Sequence, residues 1–195
     1  MRDDVAVVIL AGGEGKRIGG DKPLRILAGE RLIDRALRNA FRWSTLVAVA
    51  VRDRAQVEPV AVPAIADRHD IAGPVAGLLS ALRFGAELDC RQVLTIPADM
   101  PFLPPDLVSR LRLAIGEIGC ALASSSGHVH PVCGLWRVSA LDRSDEYLAS
   151  GRRSLRGFAE LVGCVLVDWA AEPFDPFFNI NTAQELTEAK RRICS

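Results

Sequence analysis

Apolar and polar positions along the chain repeat with two periods, and the switches between them mark the elements. Residues Val5–Leu10 form a continuous run rich in β-branched side chains that stops at Gly12-Gly13, the pattern of a strand buried on both faces. Leu32, Ile33, Ala36, Leu37, Ala40 and Phe41 recur at helical spacing, with Arg31, Asp34, Arg35 and Arg38 between them. Residues 45–51 read as a strand. A helix opens near Pro74, proline being favoured at a first helical position, and carries Val75, Leu78, Leu79 and Leu82. Residues 93–96 predict another buried strand, and Pro104-Pro105-Asp106 opens a helix through Leu107, Leu111 and Ile115. Later strands are predicted over 120–123, 132–136 and 165–169, and helices over 155–162 and 183–194. Thr182 is a suitable cap for the last helix, with Glu185 three residues on completing a capping box.

Strands alternating with helices imply a mainly parallel sheet covered on both faces, an α/β, three-layer arrangement. The 195 residues fit one domain, and no internal repeat, low-complexity tract or long linker divides them. Sheets of this kind bind ligands at the carboxyl ends of their strands. The loops after Leu10, Ile65 and Ile96 are therefore where chemistry is expected.

Composition narrows the function classes. With 24 basic and 24 acidic residues the net charge is zero, which argues against a nucleic-acid binder but not against a local cationic pocket. No apolar run approaches the roughly 20 residues of a membrane span. The apolar stretch 5–11 follows Asp3 and Asp4, the wrong flank for a signal peptide. Five cysteines (Cys90, Cys120, Cys133, Cys164, Cys194) have no CxxC spacing and mostly sit beside apolar residues. Buried reduced thiols and a cytoplasmic location are the expectation.

The first loop carries the densest chemistry. Five glycines (Gly12, Gly13, Gly15, Gly19, Gly20) fall among nine residues, with Lys16, Arg17 and Lys22 alongside. Glycines let backbone N–H groups turn toward an anion, and the three cations would hold a polyphosphate. Arg17 can grip oxygens bidentately, while Lys22 is a point charge. A P-loop would need glycine where Leu10 stands and Ser or Thr where Arg17 stands, and a dinucleotide fingerprint would need glycine at Ile18. A solvated glycine-rich turn is the alternative to phosphate binding.

The segment from Leu10 to Leu24 (LAGGEGKRIGGDKPL) resembles LAGGxSxRMGxDKxLL, the signature of molybdenum cofactor guanylyltransferases, the MobA family. Further segments match in order: Asp67 ahead of Gly73-Pro74-Val75-Ala76-Gly77, then Ile96-Pro97-Ala98-Asp99-Met100-Pro101-Phe102, and His130-Pro131-Val132-Cys133-Gly134-Leu135-Trp136. Gly151-Arg152-Arg153-Ser154 and Phe178-Asn179-Ile180-Asn181-Thr182 complete the set, so the resemblance covers nearly the whole chain. It implies a Rossmann-like three-layer α/β/α nucleotidyltransferase fold with a mainly parallel sheet. It also implies a single domain whose N-terminal half binds GTP and whose C-terminal half binds molybdopterin.

The activity implied is transfer of GMP from GTP to molybdopterin with release of pyrophosphate, assisted by Mg²⁺. Arg17, Lys22 and Asp99 are the expected catalytic residues, and Asp99 the metal ligand. Leu10, Ala11, Gly12, Gly13, Gly15, Lys22, Asp67, Pro74, Gly77, Asp99, Arg153, Asn179 and Asn181 are the expected substrate contacts. Backbone N–H groups from Ala11 to Gly15 are expected on the phosphates. No nucleic acid and no membrane is expected as a partner; transient contact with molybdopterin-synthesis or molybdoenzyme-delivery proteins is.

Several residues keep two readings. Asp99 follows a buried strand and could hold Mg²⁺, or be a helix cap or loop aspartate. Asn181 could supply a second oxygen or cap the final helix. Asp67 could accept from guanine N1–H and N2–H₂ or from ribose hydroxyls. His128 and His130 share one strand face and suit sheet packing or contact with the second substrate. Arg152, Arg153 and Arg156 suit a substrate phosphate or a solvated helix start. The family often has asparagine near the end of the second strand, where Val49-Ala50-Val51 stands here, and Ile18 replaces its methionine. Rival readings are a cytidylyltransferase or sugar-1-phosphate nucleotidyltransferase, for which Leu10-Ala11-Gly12-Gly13 in place of LAAG is unfavourable, and a non-catalytic nucleotide-binding module.

Overall fold

The computed structural model describes residues 4–12, 22–67, 71 and 73–194. In chain order the elements are β1 (Val5–Leu10), a short hairpin of β2 (Ile26–Leu27) and β3 (Glu30–Arg31), α1 (Leu32–Ala40), β4 (Val47–Val51), β5 (Ala64–Ala66), α2 (Val75–Glu87) and β6 (Gln92–Pro97). There follow α3 (Leu107–Ile115), β7 (Cys120–Ser125), β8 (His128–Arg137), α4 (Ser144–Ala149), α5 (Leu155–Val162), β9 (Cys164–Trp169) and α6 (Ala183–Cys194).

Seven strands make one sheet in the order β5-β4-β1-β6-β8-β7-β9, with β8 alone antiparallel to its neighbours. Period-2 alternation sends the two faces of β1 into different cores. Val5, Val7 and Ile9 pack with Ile33 and Leu37 of α1 and Leu107 and Leu111 of α3. Ala6 and Val8 pack with Leu78, Leu79 and Leu82 of α2 and Phe158 of α5. A continuous apolar run is thus what a strand covered on both sides requires. Gly85 allows α2 to close on Val93 of β6, where a Cβ would collide. Among the described residues no helix is long and apolar enough to cross a membrane.

The predicted elements are present with moderate changes of length. The largest change is β8, which starts at His128 rather than at residue 132 because it runs on beside β7 after its pairing with β6 ends at Thr95–Gly134. The β2–β3 hairpin, β5 as a sheet strand and α4 are elements the apolar periodicity does not predict, being two, three and six residues long. The hairpin has a packing role. Leu27 and Leu32 are buried against Ile180 and Ala189, with Phe102, Phe178, Leu186 and Ile193 around them, so α6 is tied to the start of α1.

Of the cysteines, Cys90, Cys120 and Cys133 are buried and Cys164 half-buried, all as free thiols. Burial pushes the Cys133 thiol well above its ordinary value. That suits inert packing rather than nucleophilic chemistry.

Candidate active site

The carboxyl ends of β1, β4, β5 and β6 converge on one edge of the sheet, and most of the expected residues lie there. Asp67 follows β5 directly, its N–H donated to Val51 O at 2.8 Å. Its carboxylate is buried between two glycines. A Cβ placed on Gly12 would stand 2.6 Å from Asp67 Oδ2, and one on Gly77 would stand 3.4 Å from Oδ1 and 3.3 Å from Leu10 Cδ2. Leu10, Gly12, Asp67 and Gly77 are therefore one contiguous surface, with Arg52 at its border: its Cγ would lie 3.5 Å from the same Gly12 Cβ.

Ala11 is a correction in detail. Its N–H is donated to Ala50 O at 2.9 Å as part of the sheet, so among the described residues Gly12 is the first whose N–H is available to an anion. Ala50 offers no hydrogen-bonding group in place of the family asparagine, as the sequence implies. Its side chain packs in the core beneath α2, with Val49 and Val51 in the opposite core. None of the three presents a group that could replace an asparagine, and Arg52 is the first polar side chain beyond the strand. Arg17, Gly13 and Gly15, together with Lys16, lie outside the described residues.

The second grouping lies beyond β6. Asp99 follows the Pro97 end of β6, and its backbone carbonyl accepts from Ile180 N at 3.0 Å. That bond, and the burial of Ile180 in the α6 cluster, bring Asn179 and Asn181 beside the Asp99 turn. Lys22 closes the group: its Nζ donates to Asn181 Oδ1 at 2.6 Å and pairs with Asp99 Oδ2. The two charged side chains are only 15% and 18% exposed, so water screens the pair weakly. Asp99 Oδ1 and Asn179 Oδ1 are both buried without a hydrogen-bond partner among the described residues.

The cap reading of Asn181 fails for its side chain. Thr182 is the capping residue, its Oγ1 accepting from Glu185 N at 3.2 Å, while Glu185 Oε2 reaches back to Thr182 Oγ1 at 3.0 Å and to Asn181 N at 2.7 Å. The box is shifted by one residue, which fixes the Asn181 backbone and leaves its amide to Lys22. No group of three His, Cys, Asp or Glu suited to a metal is present among the described residues, so any cation here would rest on Asp99 with amide oxygens.

A third grouping faces the start of α2. Gly73 has φ +83°, a conformation side chains resist, and a Cβ there would lie 3.1 Å from Arg153 O. The Arg153 backbone thus abuts Gly73, next to the exposed Pro74. Its Nη1 donates to Leu148 O at 2.9 Å and Arg152 O at 2.7 Å. The segment is fixed by Tyr147, whose hydroxyl donates to Ser154 O at 2.7 Å, and by the Ser154 cap on Gly157 N at 3.0 Å. The three-arginine cluster is not a free cationic patch. Arg152 pairs with Glu160 at 3.0 Å and Arg156 with the same carboxylate at 3.4 Å, while the Arg153 guanidinium is engaged by backbone carbonyls and its main chain faces the start of α2.

At β8 sequence reasoning singled out His130 but missed the partners that make a fourth grouping with it. Ser125, fully buried, lies 2.8 Å from His130 Nε2 and donates to Asp175 Oδ1 at 2.9 Å. The His130 ring stacks on Phe177 at 4.7 Å. The expected common face of the two histidines gives them different fates: His128 is exposed, with Nδ1 3.0 Å from Ser126 O, while His130 is half-buried. Burial lowers the His130 pKa, opposed by Asp175 and assisted by His128. Asp175 sits in a proline-flanked loop without periodicity, so only the register of β7 on β8, Ala123 opposite His130, would have indicated the group.

A mainly parallel sheet with one antiparallel strand, a glycine-flanked carboxylate after β5 and a lysine–aspartate pair beyond β6 are the layout of a nucleotidyltransferase, an enzyme joining a nucleotide to an acceptor. The chain matches the MobA-like NTP transferase domain over residues 7–164 and belongs to that family. It is 41% identical, over 94% of its length and 91% of the relative's, to a molybdenum cofactor guanylyltransferase of Rhodopseudomonas palustris (strain BisB5). Among solved structures it is similar to molybdopterin-guanine dinucleotide biosynthesis protein A of Archaeoglobus fulgidus, with TM-score 0.76 and 26% identity over 97% of this chain and 98% of that one. A CMP:2-keto-3-deoxy-manno-octonic acid synthetase complexed with CTP shares the fold alone, at TM-score 0.74 and 16% identity over 97% of this chain and 98% of that one.

Proposed function

We propose that the chain transfers GMP from GTP to molybdopterin, forming the molybdopterin guanine dinucleotide and releasing pyrophosphate. The observation that carries this reading is the convergence of Lys22, Asp99 and Asn181, supplied by three separate parts of the chain, beside the Leu10–Gly12–Asp67–Gly77 surface. The glycine-lined surface takes the nucleoside, Asp67 accepting from guanine or ribose. Lys22, with Arg17 and the N–H groups of Gly12, Gly13 and Gly15, takes the phosphates. Arg153, Pro74, Asn179 and Asn181 are proposed for the acceptor side. In this reading the N-terminal half of a single domain serves the nucleotide and the C-terminal half the acceptor.

The residues around Asp99 fit Mg²⁺. The ion takes hard oxygen ligands and usually keeps waters beside one or two carboxylates, and Asp99 Oδ1 and Asn179 Oδ1 are buried oxygens with no hydrogen bond to satisfy them among the described residues. Asp99 would hold the ion, with the amide oxygens of Asn179 and Asn181 next to it, and a bound Mg²⁺ would supply positive charge to the phosphates. Lys22 now bridges Asp99 and Asn181. Its flexible stem and point charge let it turn to a phosphate oxygen when those oxygens gain another partner.

The acceptor phosphate is already anionic at neutral pH and needs no general base. The protein's part is to align two anions and to hold fixed positive charge where negative charge grows. A cytoplasmic location belongs to the same reading, supported by cysteines without paired spacing.

The test is pyrophosphate release with GTP, CTP, ATP and UTP, each with Mg²⁺, in the presence and absence of molybdopterin. GTP-selective release that needs molybdopterin is the expected result. Release with CTP instead would overturn the base assignment, and binding of GTP without release would return the non-catalytic module.

A further inference from the structure

Beyond the residues proposed for phosphate, metal and nucleoside lies the Ser125–His130–Asp175 group, where the sequence leaves His130 between sheet packing and contact with the second substrate. Its hydrogens can be counted. Ser125 Oγ has one hydrogen and donates it to Asp175 Oδ1 at 2.9 Å, the oxygen that also accepts from Phe177 N at 2.9 Å. A carboxylate is an acceptor only, so the serine hydrogen has no alternative direction between these partners. The 2.8 Å contact from Ser125 Oγ to His130 Nε2 must then be made by a hydrogen on the imidazole. His130 is held as the Nε2–H tautomer, which leaves a lone pair on Nδ1 of the half-buried ring. No hydrogen bond to Nδ1 is made among the described residues. Stacking on Phe177 at 4.7 Å, with 15° between the planes, fixes the ring.

The group borders the active site. β8 parts from β6 beyond Thr95–Gly134, and the strand end from which it parts carries Asp99. Cys133 of β8 still touches Met100, at 3.5 Å between sulfurs, so the two chains diverge from that point and His130 lies on the diverging side. A single segment joins the groups: Asp175 holds Ser125 and Phe177 stacks on His130, and Asn179, Ile180 and Asn181 follow at once beside Asp99 and Lys22. The ring is half-buried, and burial disfavours its protonation. A neutral imidazole lone pair is badly matched to a phosphate dianion and well matched to an N–H donor.

We propose that His130 is a specificity-determining contact for the acceptor substrate, its Nδ1 accepting a hydrogen bond from a ring or amino N–H of the pterin, with Ser125 and Asp175 as the positioning residues that set the tautomer. This rests on the guanylyltransferase reading above. A pterin carries amide-like ring N–H and exocyclic amino donors, whereas the phosphates are served by Lys22 and the glycine loop.

Two variants separate the roles. His130→Gln keeps an N–H directed at Ser125 but has no atom equivalent to Nδ1. Ser125→Ala keeps Nδ1 but removes the acceptor that fixes the tautomer. The KM for molybdopterin should rise about tenfold in His130→Gln, the worth of one well-aligned hydrogen bond, while the KM for GTP stays within about twofold. Long-range ¹H–¹⁵N spectra of the imidazole should show Nε2–H in the wild type and a tautomer mixture in Ser125→Ala, with a smaller rise in the molybdopterin KM. A wild-type Nδ1–H tautomer, an unchanged molybdopterin KM in His130→Gln, or an equal rise in both KM values would each overturn the proposal. Wild-type protein that shows the Nε2–H tautomer yet releases no pyrophosphate with GTP and molybdopterin would instead overturn the parent reading, and the pterin assignment with it.

Discussion

Asp67 and Asp99 occupy equivalent places in the sequence grammar, each an acid directly after a short apolar strand, yet the fold treats them differently. Asp67 is 9% exposed and is wedged against the Cβ-less faces of Gly12 and Gly77. Asp99 is set by charge: one oxygen meets the Lys22 ammonium and the other is buried without a partner among the described residues. Shape complementarity around a fixed carboxylate suits recognition, which must tell one nucleoside from another in the ground state. A cation–carboxylate pair with unsatisfied oxygen suits a centre whose charges rearrange when substrate and metal arrive. The difference predicts that damage to the first region raises KM and damage to the second lowers kcat.

The largest expected effect is at Asp99. Asp99→Asn should reduce kcat about 10²–10³-fold with GTP binding nearly intact, measured by steady-state pyrophosphate release beside nucleotide titration. Loss of GTP binding in the same proportion would erase the contrast.

Asp67→Asn replaces an acceptor by an amide that can present donors, and should raise the KM for GTP roughly 10- to 100-fold with a much smaller change in kcat, since hydrogen bonds to charged groups contribute about 1.5–3 kcal/mol. Gly12→Ala should raise it by about tenfold, because the new Cβ would stand 2.6 Å from Asp67 Oδ2 and displace the carboxylate. Combined with Asp67→Asn the two should fall short of additivity; combined with Asp99→Asn they should add. Additivity in both cycles would mean that Gly12 does not act through Asp67.

The smallest effect concerns stability. Burial lowers the His130 pKa below its ordinary 6.5, so the folded protein resists a proton that the unfolded chain accepts. The stability tied to the neutral ring is complete above about pH 6.5 and is lost as pH falls through the lower folded value. His130→Gln should therefore flatten the fall in urea midpoint as pH drops below about 6.5. An unchanged slope would place the acid sensitivity elsewhere.

Much of this was legible in the residues. Val5–Leu10 is unbroken apolar chain because both faces of β1 are covered, and the Thr182–Glu185 spacing marks the start of α6 correctly. What stayed hidden depends on distance in the chain. The two-residue strands of the hairpin have no period to detect, and their place comes from packing on α6. The pairing of Lys22 with Asn181 spans 159 positions, and the neutralising of Arg152 and Arg156 by Glu160 requires knowing where α5 turns its polar face. Asp175 shows the same limit: only the fold brings its loop to the buried Ser125.

The most direct test is at the residue that joins the two halves of the active site. Steady-state kinetics of Lys22→Ala with GTP, Mg²⁺ and saturating molybdopterin should show kcat reduced about 10²-fold or more and the KM for GTP changed by less than about threefold, because charge grows mainly in the transition state. A rise in KM with kcat preserved would contradict the account, making Lys22 a ground-state contact and leaving the Asp99 region without its proposed role in the reaction.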